Sequence, residues 1–228
     1  MVNQPQIKTR VNLMENKVKV YVFDITNKQF DVNKLHLLEE KRRDNILLGR
    51  NYLYKLRSLY AGLLLRHALI AECGEISTPL EVEYNEFGKP YVNGVKHFSI
   101  THSGNVVMVA VADFDVGLDA EIVQNKVYSH ISQKVLSERE LKEYSKLSGM
   151  KMSEYFLAHW VAKEAYLKYK GMGIRKFPSD VDVTDCLVNE IPYELKRFTY
   201  KNHDYFAAVA TGDEAEVDFV YVKAIKAV

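Results

Sequence analysis

Seven consecutive apolar residues, Val106 to Ala112, form the longest uninterrupted apolar run in the chain. A membrane-spanning helix needs about 20 such residues. This run reads instead as a buried strand, and the rest of the chain has to supply the elements that cover it. The means are present. Of the 228 residues, 47% are hydrophobic and 27% are charged, the balance of a globular protein rather than a disordered, collagen-like or coiled-coil one. The length exceeds the common domain size of roughly 100–150 residues, so one large domain or two small ones fit.

Punctuation along the chain gives the organisation. A polar leader over residues 1–17, with no apolar stretch of the signal-peptide kind, precedes an alternating, β-branched segment, Val18 to Ile25, that reads as a strand. From Val32 to Cys73 helical periodicity takes over, with Leu53, Leu56, Tyr60, Leu63, Leu64 and Leu69 forming a stripe. Gly74 and Thr78-Pro79 end that region, Tyr84 to Tyr91 reads as a turn with a short strand, and Phe98 to Gly104 leads into the buried run. Asp113-Phe114-Asp115 makes a turn, after which the order repeats: a strand from Val116, a helix over Ser132–Lys146, and a longer helix over Ser153–Lys170. Strands close the chain, with Glu194–Tyr200 and Tyr205–Thr211 paired as a hairpin across Asn202-His203-Asp204 and Val217–Val222 last. The divisions expected are the leader at 1–17, one mixed half at 18–115 and a second at 116–228. No short-period repeat occurs, which excludes a solenoid or propeller.

Charge narrows the partners. Lys and Arg total 31 against 30 for Asp and Glu, so no global field draws the chain to nucleic acid or to an anionic membrane, and any anion must be bound locally. Between Lys34 and Arg66 eight cations face only Glu39, Glu40 and Asp44, a candidate for such a local site, although a solvated helix face explains many such charges equally well. Cys73 and Cys186 are too few for a disulfide scaffold and lack zinc-ligand spacing, so reduced thiols in a cytoplasmic protein are expected.

Three segments can carry chemistry. In Gly117-Leu118-Asp119-Ala120-Glu121 the acids stand at i and i+2, on one face of a strand and about 6–7 Å apart, which suits a hard cation such as Mg²⁺; an exposed strand face bearing two solvated acids is the plain alternative. Trp160, Glu164 and Lys168 recur at i, i+4 and i+8 on one helix face, where a packed tryptophan with a surface ion pair competes with a third acid near a metal and a phosphate-binding lysine. Thr101-His102-Ser103-Gly104 can donate to phosphate oxygens. Adjacent strand residues point to opposite faces, so His102 is badly placed to act as a triad base for Ser103. Gly88-Lys89-Pro90 adds a lysine on a rigid turn, and neither a GxGxxG nor a GxxxxGK[ST] motif occurs.

Taken in order, Gly88-Lys89-Pro90, Phe98 to Gly104, Gly117 to Glu121 and Trp160 to Lys168 resemble the Sfp-type 4′-phosphopantetheinyl transferases. The resemblance runs from Val18 to the final strand. It implies an α+β fold, a monomeric pseudo-dimer of two similar mixed halves with coenzyme A bound between them. It implies an Mg²⁺-dependent enzyme that moves the phosphopantetheine arm of coenzyme A onto a serine of an acyl or peptidyl carrier protein and releases adenosine 3′,5′-bisphosphate. Carried over residue by residue, Asp119, Glu121 and Glu164 are the metal ligands, with Asp119, Glu164 and Lys168 catalytic. Glu164 takes the proton of the carrier serine and Lys168 steadies the leaving group. Thr101, His102 and Ser103 contact the coenzyme, and Lys89, Arg57 and Lys41 handle its adenosine and 3′-phosphate. Asp44 stands where another lysine is expected, and Thr101 replaces a common serine while keeping the hydroxyl. A coenzyme-binding module without catalysis, and a metal-dependent phosphohydrolase with water as nucleophile, remain the competing classes.

Overall fold

The computed structural model describes residues 16–172, 178–184, 187–188 and 191–226. Nearly all of the expected leader, and Cys186, lie outside the described residues. The first half runs β1 (Lys17–Asp24), a 3-10 turn, α1 (Glu40–Leu48), α2 (Tyr52–Cys73), the short strands β2 (Glu83–Tyr84) and β3 (Pro90–Tyr91), then β4 (His97–Ser103) and β5 (Val106–Ala112). The second runs β6 (Val116–Ile122), α3 (Ser129–Val135), α4 (Glu138–Tyr144), α5 (Gly149–Lys170), the short β7 (Val183–Thr184) and β8 (Leu187–Val188), then β9 (Ile191–Tyr200), β10 (His203–Thr211) and β11 (Glu216–Tyr221).

Two similar mixed halves are what this order builds. Strands β1, β4 and β5 lie in the order β1-β5-β4, and β6, β9 and β10 in the matching order β6-β10-β9. Each half lays one 22-residue helix, α2 or α5, against its sheet. Burial explains why the run at Val106–Ala112 has no polar member. Val107, Val109 and Val111 pack with Leu59, Leu63 and Leu64 of α2, while Val106, Met108, Ala110 and Ala112 pack with Leu118 and Ala120 of β6 and with Ala207 and Val209 of β10. A strand with a helix on one face and a second sheet on the other has no wet side, so period-2 alternation disappears. The alternate residues of β10, Phe206, Ala208 and Ala210, face α5 and its neighbours, giving four layers: helix, sheet, sheet, helix.

Three sequence expectations shift. The single helix over Ser132–Lys146 is two, because Ser137 caps the second: its hydroxyl accepts from the Glu140 N–H and the Glu140 carboxylate accepts in return from the Ser137 N–H, a reciprocal cap that starts a new helix. The turn between β9 and β10 falls at Lys201-Asn202, both at positive φ, so His203 and Asp204 are already in β10. The last strand leaves its own half, since β11 pairs in parallel with β1 from Lys17↔Glu216 to Val22↔Tyr221. The boundary at residues 115 and 116 thus divides the chain without dividing the sheets.

Candidate active site

The site forms where the two sheets meet edge to edge. β4 and β6 are edge strands of different sheets, and alternate hydroxyls of β4 reach across. Ser99 Oγ accepts from the Leu118 N–H at 2.9 Å, and Ser103 Oγ accepts from the Ile122 N–H at 2.9 Å while donating to Glu121 Oε2 at 2.6 Å. Between them Thr101 Oγ1 donates to Asp119 Oδ1 at 2.9 Å. The period-2 spacing of the three hydroxyls satisfies an edge that would otherwise carry unpaired backbone groups, and it fixes the direction of both acids.

Gly117 brings α5 onto the same strand. A Cβ there would stand 1.9 Å from the Ala165 carbonyl oxygen and 2.4 Å from the Tyr169 nitrogen, so only glycine permits the approach. At this distance Lys168 Nζ lies 2.7 Å from Asp119 Oδ1 and 3.3 Å from the Ile100 carbonyl oxygen. One turn earlier Glu164 lines the same cavity as Asp119, Glu121, Trp160 and Lys168. Burial, then the charge of Asp119, holds the Glu164 carboxyl above its usual range, with Lys168 opposing. Burial likewise raises Glu121, aided by Asp119 and opposed by the Ser103 hydrogen bond.

Among the described residues no group of three or more His, Cys, Asp or Glu side chains is drawn together closely enough to hold a metal ion. The donor chemistry nevertheless fits a hard divalent cation. Asp119 Oδ2 is buried with no hydrogen-bond partner, the donors are carboxylate oxygens, and Mg²⁺ usually takes only one or two of these and completes its shell with phosphates and water.

The cavity has a volume of about 680 Å³ and extends from these acids to the first half. Its far end is cationic. Lys41 Nζ sits 3.7 Å above the Tyr84 ring, and Arg42 pairs with the buried Glu39 at 2.6 Å. Lys89 donates to the Tyr169 carbonyl at 3.1 Å and lies 3.6 Å from Asp115, and burial holds its ammonium below the usual range against the pull of Asp115. Asn85 ties the same turn to the second half by donating to the Gly171 carbonyl at 3.0 Å. His102 lines the cavity with one face open to solvent. Loss of water on its inner side, then the cations Arg57, Lys168 and Arg42, holds the imidazole below its ordinary pKa.

The structure therefore gathers Lys41, Lys89, Thr101, His102, Asp119, Glu121, Glu164 and Lys168 around one cavity. Arg57 and Ser103 are not among its lining residues. Ser103 is spent on Glu121 and β6, and both Nε and Nη2 of Arg57 donate to the Gly104 carbonyl, at 2.9 and 2.6 Å. Arg42, Ser58, Ser99 and Tyr84 line the cavity and were not singled out from the sequence. Arg42 lay within the cation-rich window, and Ser58 follows Arg57 directly. Asp44 is exposed beside Arg43.

Comparison with known proteins bears on this arrangement. The profile of the 4′-phosphopantetheinyl transferase superfamily matches residues 115–220. The chain is 33% identical over 119 residues to the 4′-phosphopantetheinyl transferase gsp of Aneurinibacillus migulanus, covering 52% of this chain and 49% of that protein. It is 25% identical over 120 residues to the 4′-phosphopantetheinyl transferase Sfp of Bacillus subtilis strain 168, covering 52% and 53%. A crystal structure of Thermotoga maritima holo-[acyl-carrier-protein] synthase aligns at 18% identity over 42% of this chain and 62% of that one, with a TM-score of 0.32. The chain thus spans about half the length of the curated relatives it matches. The profile match falls on the stretch that carries Asp119, Glu121, Glu164 and Lys168, and over that stretch the chain is similar to the 4′-phosphopantetheinyl transferases.

Proposed function

We propose that the protein transfers the 4′-phosphopantetheine group of coenzyme A to a serine hydroxyl of an acyl or peptidyl carrier protein. The serine Oγ attacks the phosphorus that bears the pantetheine arm, and the pyrophosphate bridge to the nucleotide breaks. The serine proton passes to Glu164 directly or through one water, and adenosine 3′,5′-bisphosphate departs. Glu164 suits this part because its carboxyl is held above the usual range, so it accepts a proton more readily than an ordinary surface glutamate. Lys168, held at Asp119 and able to swing toward an anion, neutralises charge developing on the leaving phosphate. Lys41, Lys89 and His102 receive the phosphates of the coenzyme along the cavity, and Thr101 and Ser103 hold the acids that face them.

Asp119, Glu121 and Glu164 would hold a divalent cation, which when bound neutralises pyrophosphate charge. The reading carries with it a cytoplasmic monomer, in keeping with the free and exposed Cys73 thiol. The observation that carries the proposal is the juxtaposition of the unpartnered Asp119 Oδ2, the Glu164 carboxyl and the Lys168 ammonium at one end of a cavity whose other end is cationic.

Intact-protein mass spectrometry of apo carrier proteins incubated with coenzyme A, Mg²⁺ and this protein tests it, with a chelator and Glu164→Ala as controls. The expected result is a metal-dependent gain of about 340 Da on the carrier, absent from both controls. Coenzyme A bound but left intact with every carrier would favour a binding module. Free phosphopantetheine with an unmodified carrier would favour a phosphohydrolase.

A further inference from the structure

The structure assigns Arg57 a different part from the coenzyme contact that the resemblance implies. We propose that Arg57 is a positioning residue, whose guanidinium clamps the Gly104 carbonyl and thereby sets where the Thr101–Ser103 stretch, and His102 with it, stands over the cavity. The inference rests on the coenzyme A reading of that cavity.

The geometry is that of a brace. Arg57 rises from α2 and gives two donors to one carbonyl oxygen, Nε at 2.9 Å and Nη2 at 2.6 Å. Gly104 occupies the β4–β5 turn at φ 55°, and a Cβ there would come within 3.2 Å of Ile122 Cδ1 and of the Tyr205 hydroxyl. The turn is therefore held from several sides. The Ile25 N–H donates to the Asn105 carbonyl at 2.8 Å, the Asn105 N–H reaches the buried Tyr205 hydroxyl, and Arg57 takes the remaining side. Immediately before this turn come Ser103, which holds Glu121, and His102. A charged donor on a carbonyl makes one of the stronger backbone contacts available. Fixing a turn by it costs little further ordering, because the arginine fork is planar and preorganised.

The same placement gives Arg57 an electrostatic role. Facing His102 are Arg42 from α1, Arg57 from α2 and Lys168 from α5, while Asp119 and Glu121 of β6 line the same cavity. Removal of the Arg57 charge favours the imidazolium, so the His102 titration midpoint rises. Lysine in its place retains charge but not the two-pronged contact.

A double-mutant cycle between Arg57→Met and His102→Gln decides the matter, with coenzyme A affinity read by calorimetry and the His102 ring titrated by NMR. If Arg57 acts through His102, Arg57→Met weakens coenzyme A binding roughly tenfold in the wild-type background and less than about twofold in the His102→Gln background. The His102 midpoint rises in Arg57→Met and moves less in Arg57→Lys. Additive losses with an unmoved midpoint make Arg57 a direct coenzyme ligand and overturn the proposal. Should Arg57→Met fail to fold, Tyr205→Phe loosens the same turn from the other sheet. It should produce a smaller loss with the same dependence on His102, and an affinity loss indifferent to His102 would again overturn the proposal. If the wild-type protein binds no coenzyme A, the functional reading falls, and the His102 ring resonances in Arg57→Lys, where the charge stays and the two-pronged contact goes, still decide the matter: displaced resonances support positioning and unmoved ones overturn it.

Discussion

Lys163 and Glu164 are neighbours on α5, yet they belong to opposite kinds of environment. Lys163 is fully buried, and its ammonium donates to Glu140 Oε2 at 2.5 Å and to the Val135 carbonyl at 2.7 Å. Glu140 in turn accepts from the Ser137 and Val183 N–H groups. The group is closed, and it ties α3, α4 and β7 to α5. Glu164 faces the cavity, where the Lys168 ammonium pairs with Asp119 Oδ1 beside Glu121 and Asp119 Oδ2 has no hydrogen-bond partner. Degree of satisfaction separates the two sides of the helix. A saturated buried pair holds a fold together, whereas an unsaturated acid cluster beside a cavity retains affinity for something the chain itself does not supply.

The largest effect expected is on the closed side. Lys163→Ala strands a buried carboxylate among apolar neighbours, and the variant should lose about 3–5 kcal/mol of stability in denaturant unfolding. The pair Lys163→Met with Glu140→Gln should recover a good part of that loss, because it removes both charges. A Lys163→Ala protein as stable as wild type would dissolve the contrast. On the open side Asp119→Asn should lower carrier modification about 10²–10³-fold, the scale of losing one electrostatic anchor at a reacting phosphate, with thermal unfolding little changed. Wild-type transfer in that variant would remove Asp119 from the site. Between them stands Gly117→Ala, whose new methyl meets the α5 backbone. It should cost about 1–3 kcal/mol and lower transfer as well, since the same helix shift draws Lys168 from Asp119.

Legibility followed the same division. The i, i+4, i+8 spacing put Trp160, Glu164 and Lys168 on one face, and all three line the cavity. The motif gives Lys163 no readable role, because its partners are 23 and 28 residues away and only tertiary structure brings them in. The Ser137-x-x-Glu140 cap that splits α3 from α4 was readable, but the helical period across it masked the break. The hydroxyls of β4 were singled out as phosphate donors, whereas in the fold they reach across to β6 and its acids. A strand pattern reveals which residues share a face and not which edge that face will meet. For the same reason the motif position of Arg57 does not reveal its bond to the Gly104 carbonyl, and chain order groups β11 with its own half although it completes the sheet of the other.

The smallest effect has the opposite sign from the first. Burial and the Asp119 charge raise the Glu164 carboxyl above its ordinary range, so the folded protein holds that proton to higher pH than the unfolded chain does. Stability from this group is present in full below the unfolded value and is lost as pH rises through the folded one, which leaves the ionised Glu164 as a cost at neutral pH. Glu164→Gln removes the charge at nearly constant shape. The melting temperature at pH 7 should therefore rise by about 2–4 °C while transfer collapses, the usual exchange between stability and function at a strained site. The gain over wild type should shrink as pH falls toward the ordinary glutamate range, where the wild-type side chain becomes neutral too. A gain that persists at low pH would point to packing instead of charge. A loss of stability would place Glu164 with Lys163 among the groups that hold the fold, and the two sides of α5 would no longer differ.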